Sequence, residues 1–278
     1  MSAIPTSRRT APRLKPALLY AAAMLLTFFM LAPLWLIFVA AFSPEADVYA
    51  FPKLLYPAHF STDTLNFFIN SAGVKPSFGN SVKAGIGALL LALVLGAPAG
   101  YAVARFSFPG RNILQLVILA TRSFPALVLS IPLAVSFLTW GLFDTVRGVA
   151  LVHTAFALPT TVLITSAVFY GVPRDLEEAA LTLGCTPLGA FRRISLPLAL
   201  PGLAAAALFT FVLSWNEVFA ATILTQQNRT LPAQVLSTLG EAPLQYQFAG
   251  GFMMIVPSLL FIFIIRRYLV SSWGTVSK

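Results

Sequence analysis

Long apolar runs, most of them bounded by lysine or arginine, constrain this chain more than any other feature. A helix that crosses a bilayer needs about 20 predominantly apolar residues. Six stretches qualify: about 17–42, 84–104, 112–139, 148–170, 201–224 and 250–268. Arg122 interrupts the third and Glu217 the fifth. Ten-residue segments of alternating hydrophobicity, which mark a membrane β-barrel, are absent. Only 10% of residues are charged, against about 25% in soluble domains. These observations predict an all-α polytopic membrane protein with six transmembrane helices in a single domain, 1–278.

The charges predict orientation. With the N-terminus inside, the inner segments carry Arg8, Arg9, Arg13, Lys15, Arg105, Arg111, Arg174, Arg192, Arg193, Arg266, Arg267 and Lys278. The outer segments carry Lys53, Lys75, Lys83, Arg147 and Arg229. That excess of inner cations follows the positive-inside rule and places both termini in the cytoplasm. The net charge of +9 is spread over the ends of apolar runs rather than gathered into a patch, which excludes nucleic acid as a partner. Ser7-Arg8-Arg9-Thr10 mimics a twin-arginine signal, but the apolar run behind it is too long for one and reads as an uncleaved first helix. Two outer segments are sizeable: 43–82, with several prolines and aromatics, and 225–249, rich in glutamine. The lone Cys185 excludes an intrachain disulfide and reads as a small residue beside a turn glycine.

Between the fourth and fifth runs lies a charged module at about 171–200. Pro173 can open a helix, with Asp175, Glu177 and Glu178 in a first turn where carboxylates favour the helix dipole. Gly184 suits the left-handed residue that ends such a helix. Pro187 can start a second short helix carrying Arg192 and Arg193 in its last turn, and Pro197 and Pro201 mark the return into the membrane.

Glu178-Ala179-Ala180, three residues, Gly184, nine residues, then Ile194-Ser195-Leu196-Pro197 resembles the EAA loop of binding-protein-dependent ABC importer permeases. Asn80-Ser81, the segment 141–145, the segment 152–156, Ser214-Trp215-Asn216-Glu217 and the segment 267–270 are similar to the carbohydrate-type, maltose-type branch. The resemblance implies a type I ABC importer permease fold in a bacterial or archaeal cytoplasmic membrane. It also implies a second permease subunit, two ATP-binding subunits docked on the EAA loop, and an extracytoplasmic solute-binding protein. On that basis Glu178, Ala179, Ala180, Gly184, Ile194, Leu196 and Pro197 are the expected ATPase-coupling residues, and segment 225–249 the expected approach to the receptor.

No G-x-x-x-x-G-K-[ST] loop is present, so ATP is expected on partner subunits and no cofactor on this chain. No nucleophile–base pair, zinc motif or carboxylate dyad suggests an enzyme. Charges at membrane depth are costly and tend to face protein or water, which singles out Arg122 and Glu217. Thr210, Ser214, Glu217 and Ala221 share a helical face, with Trp215 and Asn216 beside it. That stripe reads either as the border of a translocation path for a polyhydroxylated solute or as a helix–helix contact. An Arg122–Glu217 ion pair is a further expectation, and His153 reads as a packing histidine with one satisfied nitrogen rather than a proton relay. Prolines 98, 125, 132, 159 and 257 are expected to kink the spans. The alternatives are a permease for another small solute, such as a polyamine or phosphodiester, and a proton-driven secondary transporter.

Overall fold

The computed structural model describes residues 14–238 and 240–273, with side chains placed for 16–238 and 240–266. Arg8, Arg9, Arg13, the 7–10 segment and Lys278 therefore lie outside the described residues, as do the side chains of Lys15 and 267–270. All regular structure among the described residues is helical. α1 (Leu14–Ala41) leads into two short helices of the first connection, α2 (Glu45–Tyr49) and α3 (Asp63–Asn70). α4 (Val74–Arg105) follows, then α5 (Arg111–Thr121), α6 (Ala126–Trp140) and α7 (Val146–Gly171). The charged module forms α8 (Arg174–Thr182), α9 (Pro187–Ala190) and a π turn, Phe191–Ser195, that runs on into α10 (Leu196–Asn216). α11 (Phe219–Leu224), α12 (Leu231–Thr238) and α13 (Leu244–Trp273) complete the chain.

Five helices are long and apolar enough to cross a membrane, and the α5–α6 pair makes a sixth if its 90° bend is one span. The third apolar run is thus broken rather than straight. Pro125 disfavours helix at Phe124, and Pro125 itself is the extended N-cap of α6 rather than a kink within a span. The fifth run also breaks. α10 ends at Asn216 and Glu217 is extended, its carboxylate accepting the N–H groups of Ala220 and Ala221 in the first turn of α11, whose N-cap is Val218.

The central layer is α4, α7 and α10, brought together by small residues. A Cβ on Gly100 would lie 2.7 Å from the Ser166 backbone nitrogen, and one on Gly202 would overlap Val168. The Thr165 hydroxyl exploits this approach, donating to the Gly96 carbonyl at 2.9 Å. Small residues at such contacts let helix backbones close up where lipid offers no hydrophobic drive between them. On its other side α10 packs aromatics against α13. Phe211 stacks on Phe261 with centroids 4.0 Å apart, and Trp215 Nε1 donates to the Met254 carbonyl.

Candidate functional site

The charged module is a hairpin with a built stop. Gly184 sits at φ +86°, its N–H donating to the Leu181 carbonyl, while the Cys185 N–H reaches the Ala180 carbonyl. This paired closure is the Schellman arrangement, which requires a left-handed residue. Thr186 then caps α9, its hydroxyl accepting the Gly189 N–H at 3.1 Å. Arg192 and Arg193 lie in the π turn, but it does not end the helix: the Leu196 N–H bonds to the Phe191 carbonyl and the helix continues to Asn216. The wide turn eases the entry of Pro197, which has no N–H for an α-helical bond.

The two faces of the hairpin differ. Glu178, Ala179, Gly184 and Pro197 are exposed, Ala180, Ile194 and Leu196 half-buried. Leu183 at the tip is 89% exposed. Leu196 packs with Phe191 on the cluster formed by Ala104, Phe169, Val172 and Ala199, anchoring the base of the hairpin to the bundle.

The neighbour of the motif, Glu177, points the other way and is buried. Arg105 Nη2 lies 2.6 Å from its Oε1 and Arg105 Nε 2.8 Å; the Tyr101 hydroxyl donates to Oε2 at 2.9 Å. The Ser195 hydroxyl is buried beside the same carboxylate without reaching full hydrogen-bond geometry. Burial pushes the Glu177 carboxyl up, but Ser195, Tyr101 and Arg105 outweigh it and hold it below its ordinary value. Sequence reasoning assigned Glu177 to dipole compensation and Arg105 to topology, and missed their union. The available signal was a carboxylate one residue before an exposed motif, on the opposite side of the helix.

Within the membrane, Thr210 and Ser214 face α7. The Thr161 and Thr210 hydroxyls are 3.0 Å apart, and Ser214 Oγ is 2.7 Å from His153 Nδ1. His153 Nε2 lies 3.2 Å from Glu217 Oε2, so both ring nitrogens are engaged rather than one. Thr210 and Ser214 thus lie at the α7–α10 contact. Trp215 is buried on the α13 side, and the exposed Asn216 turns its amide back to the Val212 carbonyl. Arg122 caps α5 at the bend and is exposed, not deep within a straight span. It forms no ion pair with Glu217, whose described partner is His153. The two residues nonetheless line one cavity of about 740 Å³, together with Phe124, Phe156, Thr160 and Phe209.

At the other end of α7 from the hairpin, Asp144 holds segment 225–231. One carboxylate oxygen accepts the backbone N–H groups of Gln226, Gln227 and Asn228 at 2.8, 3.0 and 2.9 Å. The same segment is tied to α4, where Asn80 donates to the Arg229 carbonyl and Ser81 accepts the Leu231 N–H. Both Asn80-Ser81 and the 141–145 segment thus serve one loop.

Residues 92–272 match the family described as binding-protein-dependent transport system inner membrane component. The trehalose transport system permease protein SugB of Mycobacterium tuberculosis is 34% identical over 249 residues, 87% of this chain and 90% of that protein. The diacetylchitobiose uptake system permease protein NgcG of Streptomyces coelicolor is 31% identical over 262 residues, 92% and 86% of the respective chains. A crystal structure of a bacterial ABC transporter involved in the import of the acidic polysaccharide alginate superposes with a TM-score of 0.73, covering 95% of this chain and 99% of that one at 20% identity. That last likeness concerns the fold.

Proposed function

The chain belongs to the family of binding-protein-dependent transport system inner membrane components, and from that premise we propose that it is the permease subunit of an ATP-driven importer for a sugar, oligosaccharide or polyol. The observation that carries this reading is the inner hairpin: an exposed motif at 178–184 on a helix whose opposite side is fastened to the bundle. Such a part can accept a push from a docked subunit and pass it to the spans. Two ATP-binding subunits supply that push, and this chain binds no nucleotide and catalyses no reaction of its own.

A second permease subunit completes the path. The cavity shared by Arg122 and Glu217 borders it, whereas Thr210, Ser214 and Trp215 act behind it as packing. A solute-binding protein docks outside, near segment 225–249. Support for it comes from a fold neighbour described as a bacterial alginate ABC transporter in complex with alginate pentasaccharide-bound periplasmic protein. The sugar class rests on the relatives named for trehalose and diacetylchitobiose. The chain sits in a bacterial or archaeal cytoplasmic membrane with both termini inside.

Two measurements test this. Uptake into vesicles is expected to require internal ATP and to survive collapse of the proton gradient. Gly184→Pro is expected to abolish co-purification with the ATPase, because proline cannot take a φ of +86° and lacks the N–H that bonds Leu181. Uptake that persists in a strain lacking the ATPase overturns the proposal.

A further inference from the structure

The hairpin is joined to its two neighbouring spans in unequal ways. Toward α4 it is bonded through the orphan carbonyls that every helix C-terminus leaves. Arg174 donates to the Ala104 carbonyl at 3.3 Å, and the Tyr170 hydroxyl, at the end of α7, donates to the Val103 carbonyl at 3.3 Å. In return Arg105 Nη2 donates to the Val172 carbonyl at 2.8 Å. Glu177, clamped by Arg105 and Tyr101, closes this set inside the protein. Toward α10 the link is the π turn. Its i→i+5 bonding interrupts the α-helical ladder, as π-bulges at functional sites do, and Pro197 withholds a donor from the helix that follows. One side is bolted and the other can yield.

Resting on the reading of the hairpin as the entry point for ATPase force, we propose that Glu177 is a positioning residue that fastens the hairpin to the inner end of α4. Hairpin, α4 and α7 then move as one body, and the π turn at 191–195 absorbs their displacement relative to α10. A carboxylate suits this task because it accepts from a guanidinium and a phenol at once and binds two side chains of α4 through a single residue of α8. Its burial keeps water from competing for either bond.

The test uses the reconstituted importer with Cys185→Ser and two spin-labelled pairs, Thr182→Cys with Phe106→Cys and Thr182→Cys with Leu200→Cys. Distances are measured without nucleotide and in the vanadate-trapped state. The 182–106 distance is expected to stay constant while 182–200 changes. In Glu177→Gln, which keeps the side-chain volume, the ATPase still co-purifies, but the 182–106 distance now changes too. Solute moved per ATP is expected to fall about tenfold, the scale of one lost charged hydrogen bond. Tyr101→Phe gives the same defect in weaker form. Equal shifts of both distances in the unsubstituted protein overturn the proposal, with no need for any Glu177 variant to fold. So does normal stoichiometry in Glu177→Gln, or loss of ATPase binding from it, which makes Glu177 a docking residue. Failure of the unsubstituted protein to bind an ATPase is a different result and strikes the underlying reading instead.

Discussion

Two carboxylates organise opposite ends of this chain, and they are held by contrasting means. Glu177, at the hairpin end, is buried and meets a full cation and a phenol. Asp144, at the end away from the hairpin, is half-buried and has no ion-pair partner among the described residues; three successive backbone amides hold it instead. The first arrangement joins helices that are already rigid. The second gives shape to a stretch of chain that has no helical ladder. A buried ion pair therefore decides which bodies move together, whereas a carboxylate among amides decides whether a loop has one conformation.

The harshest way to break the contrast is Arg105→Ala. It leaves Glu177 buried without its cation, and broken buried pairs cost about 3–5 kcal/mol. The thermal unfolding midpoint in detergent is expected to drop further than for any other variant considered. Because apolar replacement of both partners is often neutral, Arg105→Met combined with Glu177→Leu is expected to recover most of that stability without restoring coupling. A double variant as unstable as Arg105→Ala alone would show that the pair matters for packing rather than charge. Next in size is Gly100→Ala at the α4–α7 contact. Its Cβ meets the Ser166 backbone, which cannot swing aside as a side chain can, and overpacking of this kind costs about 1–3 kcal/mol.

The end away from the hairpin is probed by Asp144→Ala, which trades three bonds to a carboxylate for bonds from the exposed amides of 226–228 to water. The cost is expected to be about 1–3 kcal/mol but local: amide exchange at 226–228 accelerates while the α4–α7 core keeps its protection. Acid sharpens the same point. Burial pushes the Asp144 carboxyl up, but the amides of Asn228, Gln226 and Gln227, with Arg229 nearby, prevail and hold it below its ordinary value. A depressed native pKa contributes stability above the unfolded value, about 3.9 for aspartate, and loses it as pH falls through the lower native value. Protection of the loop, corrected for intrinsic rates, should therefore persist near pH 4 and vanish only on further acidification. Loss already at pH 5 would mean that another group controls the loop.

The difference between these ends also explains what could be read from the chain. Apolar run length carries most of the bilayer argument, so the helices around residues 17–42, 84–104, 148–170 and 250–268 were legible without a structure. A hydropathy window averages over direction, however, and cannot see that the run at 112–139 turns through 90° at Arg122–Pro125. Periodicity failed at Glu217 for a related reason: it assumes that the backbone stays helical, while the ladder ends at Asn216 and that carboxylate takes the amides of Ala220 and Ala221. The hairpin was visible through its spacing and Gly184, which report local geometry. Glu177 with Arg105 was not, because 72 residues separate them and each had a sufficient local explanation.

The mildest expected effect decides the meaning of the polar stripe on α10. Thr210→Val removes a hydroxyl shared with Thr161 and nearly preserves shape; Thr161 keeps its bond to the Ala157 carbonyl. As a packing contact it is expected to cost about 1 kcal/mol of stability and to leave the KM for solute unchanged. Leu213→Ala, on the cavity side of the same helix, should do the reverse and shift KM with less effect on unfolding than its burial in a core would give. If Thr210→Val instead raises KM tenfold, Thr210 reaches the solute during the cycle. The α7–α10 contact at Thr161 and Thr210 would then have to open during the cycle, which a displacement of α10 relative to the α4–α7 body allows.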